Sequence, residues 1–419
     1  MKPKILFTTP QNLHHPPFSG PTLRIENSIK ALARIADVIL YVRLPTDAIG
    51  SDAAIDFYRS FCREVIFAPS VMPAHALFRF ARRAGNSVSG RISRRPLFGV
   101  GGFAEVLDFR HLAQIIHHHQ PDVIWLGYGN ISYPLLRYLK KQVDTPTVVD
   151  TDSVWSRFVL RELPYAKSEA DRRRIQTEGQ AKEFEEAWAT PLADVTTAVS
   201  AVDAEYFRSL ARQPDQVQIF ANVIDPDSYA VLPPPDALIK RPAVYLAGTF
   251  WPGSPMEDAA RWTIGQIMPA VWARKPEIRL YIIGAGSDEV LKDISHPQIT
   301  ITGRVHSVLP YLCHVDASLV PLRFESGTRF KILEAGVCGV PVISTHMGAE
   351  GLGVTHGRDI LIADDEEAFA SAICDLIDHP ERSSEMGRAL KALVLSDYSI
   401  ETLAQQGQII LDHLMSKKP

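Results

Sequence analysis

Pro321-Leu-Arg-Phe-Glu-Ser-Gly-Thr-Arg-Phe-Lys-Ile-Leu-Glu-Ala-Gly-Val-Cys-Gly-Val-Pro-Val-Ile-Ser-Thr345 decides the fold of this 419-residue chain. The runs at 317–320 and 340–344 are short and mostly apolar, the second rich in β-branched residues, as strands buried on both faces of a parallel sheet are. Between them a Gly-containing loop opens onto a helix-period segment, 329–337. Strand, loop, helix and buried strand in that order make a βαβ unit.

Outward from this unit the same alternation continues. C-terminal strands are expected at 243–246, 278–283, 299–301 and 360–362, with helices at 256–273, 366–378 and 383–394. Toward the N-terminus, strands are expected at 4–7, 37–44, 64–67, 122–126, 146–149, 195–199 and 217–220. Ile25, Ile29, Leu32 and Ala36 recur at helical spacing, and helices are expected at 104–118 and 169–187. The stretch 225–242 holds five prolines, three of them consecutive, and proline continues neither a helix nor a central strand. It divides the chain into two doubly wound, Rossmann-like α/β domains, 1–228 and 229–419, expected to face each other across a cleft. Ser399 is a plausible cap for a last helix, 399–416, which is expected to pack back on the first domain.

Composition bounds the function. Hydrophobic residues are 46% and charged residues 22%, ordinary globular usage. Lys and Arg number 44 against 48 Asp and Glu, a balance that argues against a dedicated nucleic-acid binder. Cys62, Cys313, Cys338 and Cys374 are far apart and form no C-x-x-C pair, which fits a reducing compartment. With a strand expected from Lys4, no secretory leader is expected, and no apolar run reaches the ~18 residues of a membrane span. The expected location is the cytoplasm, or the periphery of the inner membrane face.

The loop Ser326-Gly327-Thr328 at a helix start offers backbone N–H groups and the positive end of the helix dipole, a natural site for a diphosphate. Gly327 permits close approach of the backbone. Arg329 and Lys331 in the first turn oppose the dipole unless an anion is present to be neutralised. Glu334, one turn after Lys331, is within reach of ribose hydroxyls. The competing reading is a solvated helix start carrying ordinary charges.

This stretch resembles the donor-binding signature of GT-B glycosyltransferases, in particular the large retaining family 4. Gly-Thr-Arg-x-Lys-Ile-Leu-Glu-Ala, Gly-Val-Pro-Val-Ile-Ser-Thr and Gly348-Ala-Glu-Gly-Leu352 are similar to a bacterial polysaccharide-biosynthesis branch. Asn222-Val-Ile-Asp225, Gly248-Thr-Phe-Trp251 with Glu257-Asp258-Ala259, Ile283-Gly-Ala-Gly286 and Thr302-Gly-Arg-Val305 extend the likeness along the chain. The resemblance implies a nucleotide diphosphate sugar donor. It assigns Glu334 to the ribose, the backbone of Gly327, Thr328 and Arg329 with neighbouring Phe330 to the diphosphate, and Arg304, Val305 and His306 to the nucleobase. Gly348, Ala349 and Glu350 would flank the sugar or phosphate, and Gly20 would approach from the first domain.

Two departures stand out. The first glutamate of the family's E-x7-E motif is Ser326 here, with Glu325 beside it, so either is a candidate for the sugar hydroxyls. The family's Arg and Lys pair early in the C-terminal domain is missing, leaving Arg323, Arg329 and Lys331 to stabilise the departing diphosphate. Retention of configuration is what the resemblance implies.

In the first domain, His14, His15 and Arg24 follow the first strand. His14 and His15 are candidates for a base in an inverting variant, with solvated loop histidines as the competing reading, and Arg24 is a candidate phosphate contact. Asp150 and Asp152 follow another strand and are candidates for binding acceptor hydroxyls or acting as base, with turn capping as the competing explanation. His117-His118-His119 closes a helix and its side chains diverge, so no metal tract is expected. The segment Arg79–Arg95 has six arginines and no acid, and is a candidate for an anionic membrane surface. The expected activity is metal-independent transfer of a sugar to a glycan, lipid-linked glycan or polysaccharide hydroxyl. A nucleotide-sugar 2-epimerase and a non-catalytic donor-binding relative are the rivals.

Overall fold

The structure is a computed structural model that describes residues 2–44, 52–69 and 103–417. The basic segment 79–95 lies outside the described residues. The chain forms two compact units, one of Met1–Ser156, Gln180–Ala221 and Leu403–Pro419, the other of Arg157–Gly179 and Asn222–Thr402. The division therefore falls at 221/222, seven residues before the boundary expected from the prolines. In addition, 157–179 groups with the second unit, which periodicity does not signal.

The first unit is built on seven parallel strands: β1 (Lys4–Thr9), β2 (Asp37–Val42), β3 (Glu64–Phe67), β4 (Val123–Gly127), β5 (Thr147–Asp150), β6 (Val195–Ala198) and β7 (Val217–Ile219). Their order is β3-β2-β1-β4-β5-β6-β7, with Ile5 paired to Val38 on one side and Val123 on the other. Strand order reverses between β1 and β4, where a doubly wound sheet opens a crevice at its carboxyl end. The central strands are buried on both faces, which accounts for their nearly unbroken apolar sequence.

The second unit repeats this plan with β8 (Ala243–Ala247), β9 (Arg279–Ile283), β10 (Ile299–Ile301), β11 (Ala317–Val320), β12 (Val342–Ser344) and β13 (Leu361–Ile362). The order is β10-β9-β8-β11-β12-β13, so the reversal lies between β8 and β11. The loop of residues 321–329 leaves the carboxyl end of β11 at that switch point.

Most expected elements form within a residue or two. The single helix expected over 256–273 is instead Pro255–Trp262, a π-turn at Thr263–Ile267 and Met268–Trp272. Pro269 has no N–H to donate, and the wider turn accommodates its ring. Thr263 Oγ1 donates to the Ala259 carbonyl at 2.7 Å. Ser399 accepts the amide of Thr402, and the helix Ile400–Ser416 buries Leu403, Ile410, Leu411 and Leu414. Its Gly407 lies close to Leu32, Ile35 and Phe220.

Arg24 corrects one expectation. Its guanidinium is buried and donates to Asp150, to the Phe220 carbonyl at 3.1 Å and to the Ala221 carbonyl at 3.3 Å. Asp150 also accepts from Trp125 Nε1 at 3.1 Å and Thr197 Oγ1 at 3.0 Å. Arg24 is thus an interior tie between the helix Gly20–Ile35, β5 and the end of β7, not a phosphate contact. Asp150 is equally saturated and offers nothing to an acceptor. Breaking a buried pair leaves an uncompensated charge, so Arg24→Ala should cost about 3–5 kcal/mol in urea unfolding followed by circular dichroism. A loss below about 1 kcal/mol would contradict the buried pair.

Candidate donor site

Residues 325–331 form the most unusual polar cluster of the second unit. The helix Phe330–Val337 starts after Arg329, and Gly327 adopts the left-handed conformation at φ 76° that reverses the loop. The buried Arg329 guanidinium donates to the Ser326 carbonyl at 2.7 Å, to the Gly327 carbonyl, and to the Met347 carbonyl at 3.3 Å. Asn222 Nδ2 donates to the Thr328 carbonyl at 3.4 Å. A trans peptide group points its N–H opposite to its C=O. The amides of Gly327 and Thr328 therefore point away from the Arg329 guanidinium, and neither donates a hydrogen bond among the described residues. Glu325 Oε2, Ser326 Oγ and Thr328 Oγ1 are buried in the same loop without partners. Arg329 is an internal brace, so the expectation that its side chain faces the anion is corrected. What it supplies is the direction of the loop amides.

Lys331 lies in the first turn of this helix. Its only hydrogen-bond partner among the described residues is Met256 Sδ at 2.8 Å, and a thioether is a weak acceptor. Burial pulls the Lys331 pKa down to about 8, while the Glu325 and Glu334 carboxylates pull it back up. Glu334 Oε1 accepts from the Tyr229 hydroxyl at 2.9 Å, and burial raises the Glu334 pKa. Tyr229 fixes the orientation of Glu334 and went unnoticed in the sequence. Burial also raises Glu325, against the opposing charges of Arg329, Lys331 and Arg161.

Other expected donor residues are already engaged. Arg323 forms a bidentate pair with Asp258, at 2.8 Å from Nε, and its guanidinium lies 4.7 Å from the Tyr165 ring centroid and 5.4 Å from that of Trp262. It holds the loop base to the helix Pro255–Trp262 and is not a free substitute for the missing basic pair. Gly348 gives its amide to Thr345 Oγ1 at 2.8 Å, and a Cβ there would lie 2.5 Å from the Val320 carbonyl. Gly348 and the buried Ala349 pack the turn onto β11, while Glu350 is held bidentately by Arg161 at 2.6 and 2.9 Å. Phe330 is the half-buried first helical residue. Arg304 and His306 are exposed beyond β10, with Val305 half-buried between them.

In the first unit Gly20 is the first helical residue, after a Ser19–Thr22 capping box. His15 Nδ1 lies 3.0 Å from buried Glu26 Oε2, and its ring stacks on Phe57 at 3.5 Å. Burial lowers the pKa of His14. Asp152, two residues beyond β5, accepts from Trp155 Nε1 at 3.0 Å. Burial pushes its pKa up to about 6, against the Arg24 charge and this hydrogen bond. Among the described residues no group of three or more His, Cys, Asp and Glu is placed to hold a metal ion, and no helix is long and apolar enough to cross a membrane.

Two doubly wound parallel sheets, with an amide-lined loop at the switch point of the second, define the GT-B class of glycosyltransferase fold. Residues 241–379 match the model of the family described as Glycosyl transferases group 1. It is similar to a GDP-mannose-dependent monoacylated alpha-(1-6)-phosphatidylinositol monomannoside mannosyltransferase of Corynebacterium glutamicum, 27% identical over 166 residues, which are 36% of this chain and 42% of that protein. A GDP-mannose-dependent alpha-(1-6)-phosphatidylinositol monomannoside mannosyltransferase of Mycolicibacterium smegmatis is 24% identical over 235 residues, 50% of this chain and 60% of that one. The chain thus spans less than two thirds of the length of either relative. The fold is shared with sucrose-phosphate synthase of Thermosynechococcus elongatus, at TM-score 0.68 and 16% identity over 100% of both chains. It is also shared with Anabaena HepE in complex with UDP and glucose, at TM-score 0.62 and 14% identity over 98% of this chain and 99% of that one.

An anion beside Lys331 binds the protonated amine. Affinity for an anion held there should therefore be highest below pH ~8 and fall as the amine loses its proton, by up to about tenfold per unit. Calorimetric titration between pH 7 and 9.5 checks this. A profile in Lys331→Met identical to that of the wild type would remove Lys331 from the site.

Proposed function

We propose that this chain is a glycosyltransferase that moves a sugar from a nucleotide diphosphate sugar to an acceptor hydroxyl, holding the donor in its second unit. One observation carries the reading: an ammonium group, Lys331, whose side chain is partnered only by a thioether among the described residues, stands three residues beyond the last of the outward amides and unpartnered buried hydroxyls, those of Thr328. That arrangement favours a diphosphate, and Glu334, held by Tyr229, is suited to the adjoining ribose. The family match over 241–379 and the sugar-nucleotide names of the relatives support the same donor class.

When the bond from the anomeric carbon to the diphosphate oxygen breaks, negative charge collects on the leaving group. The amides of Gly327 and Thr328, the helix dipole and Lys331 are fixed beforehand to stabilise it, an electrostatic rather than a proton-transfer contribution. These groups supply the positive potential a divalent ion would supply, so transfer is proposed to be metal-independent. Retention of configuration is proposed on the family resemblance. A glycan or lipid-linked glycan as acceptor, at the inner membrane face, is proposed from the phosphatidylinositol mannoside names of the relatives.

Lys331→Ala and Glu334→Ala should each weaken UDP or GDP binding by about 10–100-fold, the worth of one charge-assisted hydrogen bond. Calorimetry on the folded variants measures this, and a folded double variant with wild-type affinity would refute the assignment. A nucleotide-sugar panel followed by proton NMR should show free nucleotide and an axial or equatorial anomeric product matching the donor, at a rate EDTA leaves unchanged. Release of an epimerised donor would establish the isomerase instead.

A further inference from the structure

We propose that Arg161 is a positioning residue of the donor loop, acting through the Glu325 carbonyl and Glu350. The inference rests on the donor reading above. Arg161 Nη1 donates to the Glu325 carbonyl at 2.8 Å, a contact between residues 164 apart in sequence. The same guanidinium forks onto Glu350, Nη1 to Oε2 at 2.6 Å and Nη2 to Oε1 at 2.9 Å. A bidentate Arg–carboxylate pair fixes the guanidinium plane as well as its position. Glu350 follows the capped turn His346–Ala349, whose Met347 carbonyl is held by Arg329. Two arginines thus tie the loop to one turn, Arg329 through the carbonyls of 326 and 327, and Arg161 through that of 325.

With Arg161 included, the carbonyls of four consecutive residues, 325 to 328, are each held by a side-chain donor: Arg161, Arg329 twice, and Asn222. Each planar peptide group then has its N–H direction set as well. The Glu325–Ser326 peptide is the first of the series, and Arg161 alone holds its carbonyl among the contacts of this loop. Without that contact the Glu325–Ser326 peptide is free to rotate and the Ser326 amide loses its fixed direction at the entry to the loop, while Arg329 holds the two peptides that follow. The same segment makes a second contact. Tyr165 stacks on Phe324 with centroids 5.2 Å apart and lies under the Arg323 guanidinium. Residues 161–165 therefore fix both the base of the loop and its first peptide. Arg161 carries a formal charge as well, but its hydrogen bonds go to a carboxylate, a carbonyl and, at 3.5 Å, the Met347 thioether, so its effect on the ligand is through the loop.

The test measures binding of inorganic pyrophosphate, UDP and GDP by calorimetry to wild type, Arg161→Gln, Glu350→Gln, the double variant and Arg174→Gln. Thermal midpoints are recorded on the same samples. Arg174 lies on the same segment but pairs with half-buried Glu162 and exposed Glu178, and serves as the control. Arg161→Gln should weaken binding of all three ligands about tenfold, Glu350→Gln by less, and the double variant by no more than Arg161→Gln, while Arg174→Gln binds as wild type. A merely structural role would lower the thermal midpoint and leave the dissociation constants of folded protein unchanged. That result in Arg161→Gln overturns the inference, and so does additive loss in the double variant. If Arg161→Gln does not fold, wild-type affinity in Glu350→Gln overturns it. Wild-type protein that binds none of the three ligands removes the donor reading itself, and with it this inference.

Discussion

The buried guanidinium of Arg329 is the interaction on which the proposed site depends. It draws the carbonyls of residues 326, 327 and 347 to one point. Held carbonyls keep successive amides turned outward, whereas loop peptides without such a partner rotate and satisfy themselves with water. Gly327 makes the required reversal at a φ that a residue with a side chain rarely adopts. The cation is thereby spent on protein carbonyls, and the positive potential reaches the ligand as oriented N–H dipoles. Lys331, beside a thioether, adds a formal positive charge in the first turn of the helix that follows the loop.

The topology explains why this loop stands where it does. In a doubly wound sheet the connections leave β8 and β11 in opposite directions, and the gap between them at the carboxyl end cannot be filled by a crossover helix. The chain uses the gap twice. One side carries residues 248–254 and the helix Pro255–Trp262, the other the loop of 321–329, and Asp258–Arg323 and Met256–Lys331 join them. In the first unit the corresponding reversal lies between β1 and β4, and the tie is the buried Arg24–Asp150 pair. Each unit thus places an arginine at the start of the helix that follows the reversal, and each arginine turns inward.

Those two arginines mark the limit of what the sequence shows. The strands were legible because each is a short apolar run between turn residues, and the switch-point loop because Ser326-Gly327-Thr328 precedes a helix-period segment. The direction of a side chain is not in that pattern. A basic residue at a helix start reads alike whether it faces a ligand or braces carbonyls, so Arg24 and Arg329 were expected to face anions. Asp150 and Asp152 are equally alike in sequence. Only the pairing of β5 with β4 and β6 puts the first among Trp125, Thr197 and Arg24, and leaves the second beyond the strand end. Arg161 and Tyr229 reach the loop and helix across 164 and 105 residues, and no local spacing signals such contacts.

The most direct measurement is a crystal structure of the protein with UDP or GDP bound. The account predicts diphosphate oxygens within hydrogen-bond distance of the amides of Gly327 and Thr328 and of Lys331 Nζ, with the ribose hydroxyls on Glu334. A diphosphate bound elsewhere, with that loop empty and its carbonyls still held by Arg329, would contradict it.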